Sequence, residues 1–178
     1  MFEFLKKRRE LKKYMVLGVL SLKKLRNADI NDIWEINDKK AFLIAMKGWV
    51  DRKCDYGKRM EQLTPQERVF YLTRELEQGV DESGYLQYLY GESGAFYGEL
   101  QGAFMEIGAY RTAETCRKAA AAFGCELPAD LEERTTVLVE GTEPQTIDRI
   151  LECDDEFFED DLDELNYRFI INNKEAFR

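Results

Sequence analysis

Apolar residues recur at spacings of three and four through most of the chain, the period of an amphipathic helix rather than of a strand. The clearest start is Thr64-Pro65-Gln66-Glu67, a capping box. The Thr64 hydroxyl can accept from the Glu67 amide while Glu67 reaches back, and proline loses nothing at the first helical position. The helix it opens carries Val69, Leu72 and Leu76 on one stripe, with Gly79 as its expected end. A second begins near residues 81–83 and carries Tyr85, Leu86, Tyr88 and Leu89 up to Gly91. A third covers 95–107, with Phe96, Leu100, Ala103, Phe104 and Ile107 on one face and Ser93 as its expected cap. The fourth, over 112–123, presents Ala113, Cys116, Ala119, Ala120 and Phe123 and closes at Gly124. Asp130 caps a short helix, Pro144 opens one reaching about Phe158, and a last spans 162–172 with Leu165, Phe169 and Ile170 inward. Upstream, 29–34 and 40–49 form two more.

Two stretches depart from this pattern. Thr135-Thr-Val-Leu-Val139 is β-branched and makes the one strand candidate, without an evident partner strand. Gly94, Gly98 and Gly102 recur every fourth residue, and each interior glycine costs about 1 kcal/mol relative to alanine. Close approach of another backbone is therefore expected there, with plain surface tolerance as the alternative. The expected architecture is all-α: a single compact multi-helix domain over 29–178, preceded by a basic amphipathic arm over 1–28 that forms an N-terminal helical appendage.

A chain of 178 residues suits one main domain, and 44% hydrophobic with 12% aromatic residues provides a core. Charge is distributed unevenly. Residues 1–26 hold nine bases against Glu3 and Glu10, leaving 17 bases and 33 acids in the rest of a chain whose net charge is -9. So acidic a body is a poor direct binder of nucleic acid, which demands positive charge. The apolar run Tyr14–Leu20 follows basic residues as in a signal peptide, but it is short, Lys23 and Lys24 follow at once, and no small-x-small cleavage site appears. It also falls well below the ~20 residues of a membrane span, so a cytoplasmic protein without a stable membrane span is expected. Cys54, Cys116, Cys125 and Cys153 contain no CxxC pair, which argues against a zinc site and for reduced, buried thiols.

The chain has no histidine, the commonest general base and metal ligand. Gly91-Glu-Ser-Gly94 lacks the lysine and preceding strand of a phosphate cradle, and Ser93 sits in no nucleophile elbow. No catalytic residue, metal site or cofactor is expected. The sharpest feature is acidic: Glu152, Asp154, Asp155, Glu156, Glu159, Asp160, Asp161, Asp163 and Glu164 are nine carboxylates in thirteen residues with no base among them. A calcium loop would need a central glycine and alternating ligands where Phe157 and Phe158 stand. Asp161-Leu-Asp-Glu164 makes sense as a helix cap with acids on the positive helix end. The remaining charges either serve solvation or await a basic partner. Thirteen helical residues span about 20 Å, a length over which B-DNA, at one charge per ~1.7 Å, carries about twelve. A bend between two helices would scatter such a row.

Several pieces stand in a specific order: Leu63-Thr-Pro-Gln-Glu-Arg-Val-Phe-Tyr71, then Gly84-Tyr-Leu-Gln-Tyr88 followed by Glu92-Ser-Gly94, then Met105-Glu-Ile-Gly-Ala109, and the ending Asp161-Leu-Asp-Glu-Leu-Asn-Tyr-Arg-Phe-Ile170. On these, the chain from about Leu63 onward resembles the C-terminal domain family named after a bacterial DNA-mimic protein. The resemblance implies an all-α, homodimeric, non-enzymatic protein. Two functions follow. In one, the nine carboxylates from Glu152 to Glu164 mimic DNA and occupy the binding face of a basic, DNA-binding protein partner. In the other, the chain is a helical binding or immunity-type regulatory module without mimicry, its surface lying in the segment Tyr85–Tyr97.

Overall fold

The computed structural model describes residues 21–124, 126–141 and 143–178, and among these every regular element is helical. Most of the basic arm and Cys125 lie outside the described residues. Residues 21–26 are helical. The α-helices that follow, in chain order, are α1 (Ile30–Ile33), α2 (Lys39–Lys53), α3 (Pro65–Tyr90), α4 (Tyr97–Ile107), α5 (Tyr110–Ala122), α6 (Leu131–Gly141), α7 (Pro144–Glu156) and α8 (Leu162–Asn172).

The capping box forms as expected. Thr64 Oγ1 accepts from the Glu67 amide at 3.2 Å, and Glu67 Oε2 accepts from the Thr64 amide at 2.8 Å. Glu67 is fully buried, and Lys53 Nζ supplies its counter-charge at 2.7 Å. From this start α3 becomes the central helix, packing on α2, α4 and α7, while α5 packs on α4 and α7 and α8 on α2. The core they enclose includes Phe42, Met46, Phe70, Leu76, Phe104 and Ile170, each at most 2% exposed. Burial of a side chain of that size stabilises by roughly 1.5–3 kcal/mol.

The break in α3 lies five residues beyond the expected one. Gly79 sits inside the helix, and its missing side chain makes room for the Tyr88 ring, which a Cβ would meet at 2.8 Å. The interruption is at Gly84, with φ 83° and ψ 164°, a conformation that side-chain-bearing residues rarely adopt. The second half then carries Tyr85, Tyr88 and Leu89 inward, as the spacing predicts.

The strand expectation at Thr135–Val139 is overturned: these residues belong to α6. Asp130 Oδ1 accepts from the amides of Glu132 and Glu133, both at 3.0 Å, and starts a helix before the β-branched run begins. Arg134 and Leu138, one turn apart, are both fully buried. The Arg134 guanidinium is answered by carbonyls alone, those of Leu89 (2.9 Å), Gly91 (2.7 Å), Pro128 (2.9 Å) and Ala129 (2.6 Å), so it ties the end of α3 to the α5–α6 connection. Capping and a buried i, i+4 pair outweigh a weak strand preference that no neighbouring strand rewards.

The glycine series is likewise not a helix-crossing seam. At Gly98 and Gly102 a side chain would meet nothing within 4 Å of its Cβ, and both residues are exposed; only Gly94 is crowded, against the Leu89 carbonyl. Ser93 does not cap the following helix. Its hydroxyl donates to Glu75 Oε1 at 2.9 Å instead. A close backbone approach does occur at Gly48 of α2, where the Arg26 carbonyl leaves no space for a side chain. Arg52 reinforces this contact by donating to the carbonyls of Arg26 and Ala28.

Candidate acidic interaction surface

The acidic segment starts on α7, whose inward positions Ile150 and Cys153 are buried. That orientation turns Asp148, Glu152 and Asp155, at i, i+4 and i+7, to the exposed side as one stripe. After Glu156 the helix tightens into a short 3₁₀ turn, Phe157–Glu159. Phe157 plugs the core edge-on to Phe104 at 5.9 Å, and its carbonyl accepts from Thr112 Oγ1 at 3.3 Å. Phe158 departs from helical geometry (φ -94°, ψ 27°) and Asp160 is extended. The thirteen residues are therefore a bent segment, and their charges diverge.

Most of the nine carboxylates have partners within the fold. Asp154 points inward: its Oδ1 accepts from the Tyr85 amide at 2.7 Å, capping the second half of α3 where Gly84 breaks it. Burial raises the Asp154 carboxyl above its ordinary value. Asp160 Oδ2 accepts from the Thr112 amide at 2.9 Å and its hydroxyl at 3.1 Å. Asp161 caps α8 by accepting from the Glu164 amide at 3.0 Å. Asp163 pairs with Arg74 (2.8 Å), Glu164 with Lys39 (2.8 Å), Glu156 with Lys118 (2.6 Å) and Glu159 more loosely with Arg111 (3.6 Å). Glu152 and Asp155 are exposed and make no hydrogen bond or ion pair among the described residues, and the same holds for Asp148. Asp148 lies outside the dense run and was not among the expected residues; its spacing from Glu152 and Asp155 is the signal that marks it.

The free stripe is thinner than a nucleic-acid backbone. Asp148 to Asp155 covers about 10 Å of helix axis, over which B-DNA presents about six charges, against three carboxylates here. Two exposed apolar residues, Leu151 and Phe158, accompany the stripe. In the alternative surface at Tyr85–Tyr97, Tyr85, Tyr88, Leu89 and Gly94 are buried, because the kinked end of α3 packs against α7 and the α4 entry, while Gln87 and Glu92 are exposed and the remaining residues are half-buried. Among the described residues no group of three or more Cys, Asp or Glu side chains converges to hold a metal ion, and no helix is long and apolar enough to cross a membrane.

A family model for DMP19-like proteins matches residues 61–173, well over half the chain. The chain belongs to the DMP19-like protein family. The matched region runs from the 3₁₀ turn before α3 through α8 and contains the whole acidic segment, while residues 1–60, with the basic arm, α1 and α2, precede it. The DMP19-like portion thus includes both Asp154 and the α3 break that it caps. No curated protein and no solved structure matches the chain.

Proposed function

We propose that this DMP19-like chain is a non-enzymatic interaction protein whose acidic segment, Glu152–Glu164, occupies the DNA-binding face of a basic protein partner. The observation that carries the reading is the α7 stripe: three exposed carboxylates on one helix face, within a matched DMP19-like region, with no cation paired to them among the described residues. Unpartnered like charges repel one another and stabilise nothing in the isolated fold, whereas a basic surface brought alongside releases that repulsion. Within the segment the work divides. Glu152 and Asp155, with Asp148, meet the partner. Glu156, Glu159 and Glu164 hold exposed ion pairs that a partner's cations can displace, and Asp154, Asp160 and Asp161 set the shape of the segment.

The test is capture of DNA-binding proteins from a cell lysate by the immobilised protein at low and high salt. The D148K/E152K/D155K variant is expected to lose the captured proteins, and high salt to release them from the wild type, because exposed charges are screened within about 10 Å at 0.1 M salt. Capture that survives both overturns mimicry and supports the helical binding or immunity-type reading, which the exposed Leu151 and Phe158 favour. We further place the protein in the cytoplasm as a homodimer. The free, buried thiols of Cys54, Cys116 and Cys153 suit a reducing compartment, and sedimentation tests the dimer.

A further inference from the structure

The helices of this fold are not held equally. α4 and α8 have eleven residues each and bury four apiece: Leu100, Ala103, Phe104 and Ile107 in one, Leu162, Asn166, Phe169 and Ile170 in the other. α6 also has eleven residues, yet of its described side chains only Arg134 and Leu138 are buried. α7 buries two as well, but it packs on both α3 and α5, and the Asp154 cap and the Lys118–Glu156 pair tie it down. α6 packs chiefly on α3 and on the 3₁₀ turn Glu92–Phe96.

Its polar anchor reaches outside the helix. The Arg134 guanidinium donates to the carbonyls of Leu89 and Gly91 at the end of α3 and of Pro128 and Ala129 before α6. Undocked, the guanidinium and the carbonyls exchange these bonds for bonds to water, so the net cost of separation is small. Nor does the sequence of α6 favour its own helix. Thr135, Thr136, Val137 and Val139 are β-branched and low in helix propensity, and Val139 is 66% exposed. Isolated helices shorter than about 12–15 residues are marginal in water, so α6 melts once it leaves the core.

We propose that α6 is a strap across the end of α3 and the turn that follows, with Arg134 as its catch, and that it opens by itself while the other helices stay folded. Elements that move are drawn from the weakly held parts of a fold. Opening frees the Leu89 and Gly91 carbonyls and uncovers part of the stretch Tyr85–Tyr97, which the closed strap withholds. The inference is independent of the basic-partner reading, which uses other residues.

The experiment is native-state hydrogen exchange of the full chain, resolved by residue and corrected for intrinsic rates. The amides of Thr135–Val139 are expected to exchange together and at least about a hundredfold faster than those of Phe70–Leu76, because local opening costs far less than global unfolding. R134K keeps the charge but loses the planar fork, and is expected to speed α6 exchange about tenfold while Phe70–Leu76 change by less than about twofold. T136A/V139A alters two exposed positions and raises helix propensity, so it is expected to slow α6 exchange roughly fivefold. Exchange of Thr135–Val139 as slow as that of Phe70–Leu76 overturns the strap. So does an R134K chain that speeds both regions equally or fails to fold, since Arg134 then holds the whole domain, and so does T136A/V139A exchange that matches the wild type.

Discussion

Asp154 and Asp155 are neighbours in sequence and opposites in use. Asp154 turns inward and caps the Tyr85 amide at the α3 break, whereas Asp155 stands exposed beside Asp148 and Glu152 with no partner among the described residues. The contrast extends over the whole segment: the bend at Phe157–Asp160 draws the later carboxylates into caps and ion pairs, and the straight helix before it leaves a stripe free. Density of charge along a sequence is thus a poor measure of charge offered to a partner. What a carboxylate can bind depends on whether the fold has already given it a donor.

Substitutions can break this comparison at graded strengths. The largest effect is expected from Asp160→Ala and Asp154→Ala, each of which strands a partly buried amide and so costs about 1–2 kcal/mol, measured by urea unfolding. Asp161→Ala, which removes the exposed cap of α8, is expected to cost about 1 kcal/mol. Glu156→Gln and Glu159→Gln break exposed ion pairs and should change stability by less than about 0.5 kcal/mol. Asp155→Ala is expected to leave stability unchanged or slightly raised, and to act only on capture. A stripe substitution that destabilises as much as Asp154→Ala would dissolve the distinction between the two sets.

Acidity sharpens the same contrast through Glu77. Its folded-state carboxyl, raised by burial to about 7 from the ordinary 4.5, binds protons that the unfolded chain has released. The stability this contributes is fully present below the unfolded value and is lost as pH rises through about 7. Relative to E77Q, the wild type should therefore lose stability between those limits, read from unfolding midpoints across the range.

The fold was largely legible because its signals are local. The Thr64 cap, the Asp130 cap and the periodic apolar faces of α4, α5 and α8 each depend on residues within a few positions, and each forms as spacing predicts. What misled was tertiary. Gly79 and Gly84 are equivalent as helix-ending signals until Tyr88 fills the space at one and Asp154 caps the other. Thr135–Val139 carries strand-forming side chains, yet the buried carbonyl cage around Arg134 fixes it as helix. At the candidate site the run of acids was visible, but the division between structural and free carboxylates requires Thr112, Arg74 and Tyr85, all distant in sequence. The open cleft bounded by residues 22–27, α2 and α3 was invisible for the same reason, since it joins three separate stretches of chain.

The most direct measurement is competition. Proteins captured by the immobilised chain at low salt are challenged with excess duplex DNA and, separately, with an uncharged polymer of equal mass. If the acidic segment sits on a DNA-binding face, the duplex elutes the captured proteins, the neutral polymer does not, and D148K/E152K/D155K captures nothing to elute. Proteins that stay bound against saturating duplex contradict the account.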